Sequence, residues 1–285
     1  MERNYPLHRL TTWKIGGPAE YVYWPAHTDE LEEVLRSTRA EGIPLWVIGR
    51  GSNLLIADEG LPGIAVVTTS LDGIEWRECS VRAQAGYTLA RLAQESGDRG
   101  MSGLEFARGI PGTLGGAVIM NAGAHGADMS GLILAVTVLR PDGTVVTVPR
   151  ADLEFGYRHS SLRSQGVVLG AELLFSPGER VHILKQMQEN LSKRKAAQPL
   201  EYPNAGSVFR NPPGDSAGRL IEAAGWKGKS VGGAEVSGKH ANFILNRDQA
   251  KAVDVLTLIE IIRHDVLNKY GVELVPEIEY LAPRG

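Results

Sequence analysis

Residues 103–126, GLEFARGIPGTLGGAVIMNAGAHG, decide how the rest of the chain is read. Seven of these 24 residues are glycine (Gly103, Gly109, Gly112, Gly115, Gly116, Gly123 and Gly126), with Ala117, Ala122 and Ala124 between them. A simple turn needs one or two glycines, because each one costs backbone entropy on folding. So dense a run keeps side chains off the backbone and leaves peptide N–H groups open to a phosphate or a flat heterocycle. Tight packing between a helix and a strand is the competing account, since glycine-rich loops are only moderately specific. Thr113, Asn121 and His125 are the uncharged polar side chains inside the run.

The whole chain sets the limits. Its 285 residues suit one large domain or two to three small ones. A hydrophobic content of 43% and a charged content of 22% are those of a globular protein with a core. A net charge of −3 gives no basic footprint for nucleic acid. No apolar run approaches the roughly 20 residues of a membrane span, and MERNYPLHRL lacks the apolar centre of a signal peptide. The expected location is the cytoplasm and the expected state a monomer. One cysteine, Cys79, leaves no internal disulfide; in CSVRAQA it alternates with polar residues and is expected as a buried strand residue. His240 and His264 lack ligand-type neighbours at metal-binding spacing, so no metal site is expected.

Before the glycine-rich run, TTWKIGGPAEYVYW leads into a helix capped by Thr28, with Leu31, Val34 and Leu35 inward and Gly42 at its end. PLWVIG (44–49) reads as a buried strand and opens into Gly49, Arg50, Gly51, Ser52, Asn53 and Leu54. This loop begins like a dinucleotide fingerprint. Leu54 stands where the third glycine belongs and no acidic strand end follows about 20 residues on, so a Rossmann site is rejected. Two glycines, a hydroxyl and an amide remain, which suits a diphosphate or an ordinary capped turn. Strands are expected at IAVV, GIEW and SVRAQA, and a helix over 89–97.

After the run, residues 132–150 read as a hairpin turning at Pro141, Asp142 and Gly143, and 167–175 as a strand. FGYRHSSLR places Arg158 in a loop, as a cation for an anionic ligand or as a solvated arginine. A helix over 181–195, with Ile183, Leu184, Met187 and Leu191 inward, ends in Lys193, Arg194 and Lys195 and breaks at Gln198-Pro199. Asn204-Ala205-Gly206-Ser207 repeats the form of Asn121-Ala122-Gly123-Ala124 with a serine in fourth place. No nucleophile elbow surrounds Ser207, so it suits proton donation better than hydrolysis. NFIL is a strand. Residues 250–269 form an amphipathic helix with Val253, Leu256, Ile259, Ile262, Val266 and Leu267 inward, and VELV is a strand before Pro276 and Glu277.

In this order TTWKIGG, GRGSNLL, GIPGTLGGAVIMNAGA, FGYRHS, KRKAAQP, NAGSVFRNP, HANFILN and LVPEIEY resemble the UDP-N-acetylenolpyruvoylglucosamine reductase (MurB) family over nearly the whole chain. The uninterrupted FGYRHS-to-strand connection is similar to its shorter, type II branch. The resemblance implies an α+β, α/β-rich, vanillyl-alcohol-oxidase-like FAD-binding fold. Residues 1–68 and 69–197 would be two FAD-binding domains, with strand 273–285 returning to the second, and 198–272 a substrate domain. It implies non-covalent FAD, NADPH as co-substrate, and reduction of UDP-N-acetylglucosamine enolpyruvate to UDP-N-acetylmuramate for peptidoglycan.

On that resemblance the 49–54 loop and Gly109, Ile110, Pro111, Gly112, Thr113, Gly115, Gly116 and Ala117 would cradle the diphosphate. Asn121, Ala122, Gly123 and Ala124 would lie along the isoalloxazine. Ser207 would be the proton donor, Arg158 and Glu277 the partners of the enolic carboxylate, and Arg194, Lys195 and Asn211 further substrate contacts. Two rival functions stand beside it. One is an FAD oxidoreductase acting on a small alcohol or sugar, and the other a nucleotide-binding module without turnover.

Overall fold

The computed structural model describes residues 1–283. Contacts group them into two compact units, each discontinuous in sequence. Six α-helices are present among the described residues: α1 (Thr28–Glu41), α2 (Leu89–Asp98), α3 (Leu114–Ile119), α4 (Arg180–Ala197), α5 (Ala217–Ala223) and α6 (Ala252–Tyr270). None is long and apolar enough to cross a membrane.

The first unit comprises residues 23–50 and 64–194, with Met1. Its frame is a five-stranded antiparallel sheet. Val145–Pro149 pairs with Ile133–Leu139, then come Val167–Leu174, Ser80–Gln84 and Ile74–Trp76 at the other edge. Alternation puts Val81, Ala83, Val136, Val138, Ala171 and Leu173 into one core with Leu92 of α2 and Leu114 and Val118 of α3. The sheet thus carries the glycine-rich segment on its packed face. A smaller element sits in the same unit, where Leu45–Ile48 runs parallel to residues 64–67. α1 buries Leu31 and Leu35, one helical turn apart, with Val66, Leu139 and Leu169. Asp29 and Glu30 stand in its first turn, and Gly42 ends it at φ 68°, its N–H donating to Arg39 and Thr38 carbonyls.

The second unit comprises residues 2–22, 51–63 and 195–285. Glu2–Pro6 pairs antiparallel with the strand that begins at Pro18. Ser230–Val231, Ala234–Val236 and Ile244–Asn246 form a three-stranded antiparallel sheet. Val255, Leu258, Ile259, Ile262 and Val266 of α6 pack with Leu220 and Ile221 of α5, with Phe209, and with the fully buried Trp13 and Leu55. Trp13 Nε1 donates to the Ile244 carbonyl at 2.8 Å, so the indole brings no unsatisfied donor into the core. Leu54–Ile56 runs parallel to Glu279–Leu281.

Several local expectations change. The residue before α1 is His27, without a side-chain cap; Thr28 is already helical. On α6, Ile259, Ile262 and Val266 are buried as expected, whereas Val253 and Leu267 are 54% and 46% exposed, Leu256 is half-buried, and Ala252, Val255 and Leu258 complete the buried face. α4 buries Ile183, Met187 and the polar Asn190, while Leu184 and Leu191 are half-buried. Cys79 sits in a bend ahead of Ser80–Gln84 and is half-buried, because the strand starts one residue later. VELV forms no strand. The chain makes a single antiparallel pairing there, Phe209 with Pro276, before the strand Glu279–Leu281. That strand pairs within the second unit, and positions 284 and 285 of the segment expected to return lie outside the described residues.

Asp58 joins the 51–63 segment to α6 within this unit: its carboxylate oxygens accept the N–H groups of Ala252 (2.7 Å) and Val253 (3.1 Å). It is an N-terminal cap supplied from 194 residues away in sequence, with a negative charge at the positive end of the helix. Asp58→Ala is expected to lower stability by about 1 kcal/mol, read as a reduced denaturant midpoint at unchanged slope.

Candidate active site

Two glycine segments meet inside the first unit. The strand Leu45–Ile48 ends at Gly49, and Thr113 precedes α3. A Cβ on Gly49 would fall 2.7 Å from Thr113 Oγ1, so the turns at 49 and 113 lie side by side only because Gly49 has no side chain. Leu114 and Gly115 N–H groups donate to the carbonyls of Tyr87 and Ala85, both at 2.9 Å, which fixes this turn against the chain leaving the strand Ser80–Gln84. Gly112 has φ 127°, a region that excludes most side chains. Gly116 is exposed, and the nearest heavy atom to its missing Cβ is Thr113 Oγ1 at 3.8 Å. Gly116 therefore presents bare main chain on an open side of a turn whose other residues, 112–115, are buried. That suits a diphosphate carried with a flat ring, so the residues present fit FAD.

Four glycines of the segment answer to protein neighbours, while Gly126, at φ 82°, has nothing within 4 Å of its missing Cβ. A Cβ would meet Leu132 at Gly103, Arg194 Cδ (2.9 Å) at Gly109, Ala85 Cβ (2.9 Å) at Gly115 and the Ala127 carbonyl (2.6 Å) at Gly123. Close packing and ligand approach thus share the run. Gly109 in particular is the bed on which Arg194 lies, and burial draws the Arg194 guanidinium below the ordinary arginine value. Ile110 is half-buried, Pro111 exposed and Ala117 buried.

Beyond α3, Asn121 is 2% exposed, and its side chain links three elements. Nδ2 donates to the Gly156 carbonyl at 3.0 Å, and Oδ1 accepts the Ser130 N–H at 2.9 Å. This holds the two-stranded ribbon of Phe155–Gly156 and His159–Ser160, which Ser160 ties again by donating to the Ile119 carbonyl at 2.7 Å. Arg158 sits at the turn of that ribbon. Its Nη2 donates to the Gly123 carbonyl at 2.9 Å, and its guanidinium stacks 5.3 Å from the Tyr157 ring centre. Asn121, His125 and Arg158 all have positive φ (43°, 55° and 55°), a strain of about 1 kcal/mol or more each for a side-chain-bearing residue. Ala122, Gly123 and Ala124 are half-buried between them. Arg158 and the Asn121–Ala124 segment, separate in sequence, are thus brought together.

Ser207 and Glu277 are brought together in the second unit. Asn204 Oδ1 accepts the Gly206 N–H at 2.9 Å, making an Asx turn, and Gly206 takes φ 78°. Ser207 follows, half-buried. Its neighbour Val208 donates N–H to the Asn242 carbonyl (2.9 Å) and accepts the Glu277 N–H (2.7 Å). Asn242, 3% exposed, clamps Phe209 through both ends of its carboxamide, at 2.9 and 2.8 Å. Sequence reading missed Asn242; its signal is an asparagine inside the apolar run ANFIL. Glu277 is half-buried, and its carbonyl accepts from Asn53 Nδ2 at 3.0 Å.

The 49–54 loop divides between roles. Gly49 belongs with Thr113, whereas Gly51 (φ 59°) lies so close to the Leu10 carbonyl that no Cβ fits. Asn53 binds the Glu277 segment, and Leu54 opens the strand paired with Glu279. Arg50 is exposed and Ser52 half-buried. Asn211 and Lys195 have structural partners in the second unit. Asn211 Oδ1 accepts the Ala217 N–H at 3.1 Å ahead of α5, and the Lys195 carbonyl accepts from Lys239 Nζ at 2.7 Å.

Residues 198–281 match the profile of the UDP-N-acetylenolpyruvoylglucosamine reductase C-terminal domain, and residues 19–149 match that of an FAD binding domain. A UDP-N-acetylenolpyruvoylglucosamine reductase of Moorella thermoacetica is 47% identical over 281 residues, spanning 97% of this chain and 91% of its own. The chain belongs to the UDP-N-acetylenolpyruvoylglucosamine reductase family. The relative of the same name from Bacillus velezensis is 44% identical, over 97% of this chain and 92% of its own. The crystal structure of the Thermus caldophilus UDP-N-acetylenolpyruvylglucosamine reductase superposes with a TM-score of 0.84 at 38% identity, covering 97% of each chain. The fold is accordingly the α+β FAD-binding fold of that reductase family.

The two kinds of glycine give opposed expectations. Gly116→Ala meets nothing nearer than 3.8 Å and keeps the fold, but it fills the open face and weakens FAD binding about tenfold (~1.4 kcal/mol). Gly51→Ala strains the backbone and costs more than about 1 kcal/mol of stability. Flavin titration and denaturant unfolding of both variants separate the two effects.

Proposed function

We propose that this chain reduces the enolpyruvyl ether of UDP-N-acetylglucosamine to UDP-N-acetylmuramate for peptidoglycan, with NADPH as reductant. The observation that carries the reading is family membership over almost the full length, combined with an open glycine face that fits FAD. Bound FAD would supply the hydride-transfer chemistry between NADPH and the terminal vinyl carbon of the substrate. Residues 1–68 and 69–197 are assigned to hold the cofactor, with the adjoining turns at Gly49 and 112–116 assigned to its diphosphate. Residues 198–272 are assigned to the sugar nucleotide. The reaction is assigned to the cytoplasm, where NADPH is kept reduced.

Hydride addition at the terminal carbon moves the alkene electrons onto the carbon that bears the carboxylate. The charge spreads into that carboxylate as an enolate, and groups already oriented toward it lower the barrier most. Arg158 supplies a permanent cation for the carboxylate, with its guanidinium anchored on the Gly123 carbonyl. Glu277 orders the same carboxylate through a shared proton or water. Ser207 Oγ then donates its proton to the charged carbon, which completes saturation of the double bond. A serine hydroxyl is a weak acid, so nearby cations must stabilise the alkoxide it leaves. Arg194, with its charge partly buried beside Gly109, is the second cation assigned here, and Lys195 and Asn211 are lesser substrate contacts.

Ser207→Ala tests the assignment. Bleaching of the flavin by NADPH is expected at the wild-type rate, because that half of the reaction needs no proton from Ser207. Recovery of the yellow colour on adding the enolpyruvyl sugar nucleotide is expected to slow by about 10³-fold. Unchanged recovery would remove Ser207 from the chemistry.

A further inference from the structure

Glu277 stands on an irregular stretch of chain, between the single pairing of Phe209 with Pro276 and the strand Glu279–Leu281. No continuous ladder holds it. The segment 277–279 is instead gripped at three points: the Glu277 N–H donates to the Val208 carbonyl (2.7 Å), the Glu277 carbonyl accepts from Asn53 Nδ2 (3.0 Å), and the Glu279 N–H donates to the Asn53 carbonyl (2.9 Å). Two of the three grips are made by Asn53, and of the three only the carboxamide contact involves a side chain. We propose that Asn53 is a positioning residue for Glu277, its carboxamide setting the backbone from which the acid reaches substrate. The inference rests on the role given to Glu277 above.

Asn53 is well founded for this. The next residue, Leu54, is already in parallel register with Glu279, and Gly51 is wedged beneath the Leu10 carbonyl. The loop is therefore a fixed support on one side of Glu277, and the main chain at Val208 is the support on the other. Displacing a reacting group by about 1 Å costs up to about 10²-fold in rate. A glutamate with three side-chain torsions relies on its backbone for that accuracy. The loop also resembles a phosphate cradle, which makes the cofactor diphosphate the rival destination for the Asn53 carboxamide.

The test uses the full-length FAD-loaded protein with Asn53→Ala and Asn53→Asp, the second keeping side-chain size while removing the donor. Flavin affinity and the rate of bleaching by NADPH are expected to stay within about threefold of wild type. Reoxidation by the enolpyruvyl sugar nucleotide is expected to slow by about 10- to 100-fold. Combined with Glu277→Gln, Asn53→Ala is expected to add no further loss, because it acts through that residue. In the protein stripped of flavin, amide exchange at Glu277 and Glu279 should quicken in Asn53→Ala while Leu245 stays protected. A tenfold loss of flavin affinity with both half-reactions slowed alike would overturn the proposal in favour of a cofactor contact. Additive losses in the double variant would overturn it too. If Glu277→Gln alone leaves reoxidation unchanged, the reading of Glu277 fails and the proposal falls with it; if only the Asn53 variants are silent, the proposal alone fails.

Discussion

The parallel pairing of Leu54–Ile56 with Glu279–Leu281 is the constraint on which the second unit depends. It captures a short piece of the N-terminal half, residues 51–63, and makes it part of a body otherwise built from residues 2–22 and 195–285. Everything near Ser207 and Glu277 is referred to that pairing. Leu55 is buried in the core with Trp13 and Phe209, Asp58 caps α6, and Asn53 grips the Glu277 backbone. Each is a modest interaction alone. Together they fix a serine and a glutamate that are 70 positions apart in sequence on adjacent strands of main chain.

Much of this was legible in the residues. Regular elements announced themselves through period and punctuation: α1 by Leu31, Leu35 and Gly42, the hairpin by Pro141-Asp142-Gly143, and α6 by its apolar spacing. The stripe of α6 was placed rightly at Ile259, Ile262 and Val266 but not at Val253 and Leu267, because apolar residues occur almost all round that helix and periodicity alone has little to choose between. VELV reads as a strand by composition, but its contacts are isolated ones, the Val275 carbonyl with the Arg210 N–H and the Leu274 carbonyl with the Arg263 side chain, and without a continuous partner strand a β-prone sequence stays irregular. Long-range exchange was invisible. Nothing in GRGSNLL says that its first glycine packs on Thr113 while its asparagine serves a segment more than 200 residues later.

The glycine-rich run was legible in kind but not in detail. Its density signalled close approach, and close approach is present. Half of it is approach to protein, however: Arg194 over Gly109, Ala85 against Gly115 and Ala127 against Gly123. Composition cannot separate these cases, since a side chain is excluded as firmly by a neighbouring carbonyl as by a cofactor. Positive φ at Asn121 and Arg158 is equally silent in sequence, because each strained residue is held by distant partners, Gly156 and Ser130 for one and Gly123 for the other.

The capture of residues 51–63 also has a temporal side. Strand Leu54–Ile56 leaves the ribosome more than 220 residues before the strand it pairs with. Trp13 likewise waits for the Ile244 carbonyl. Until residue 281 has been translated, the nascent chain holds an apolar strand and a buried-type indole with no permanent place to go, and synthesis at about 5–20 residues per second makes that wait tens of seconds long at the slow end. A protein wired in this way completes its folding after translation rather than during it, and is most exposed to chaperones and proteases during the interval.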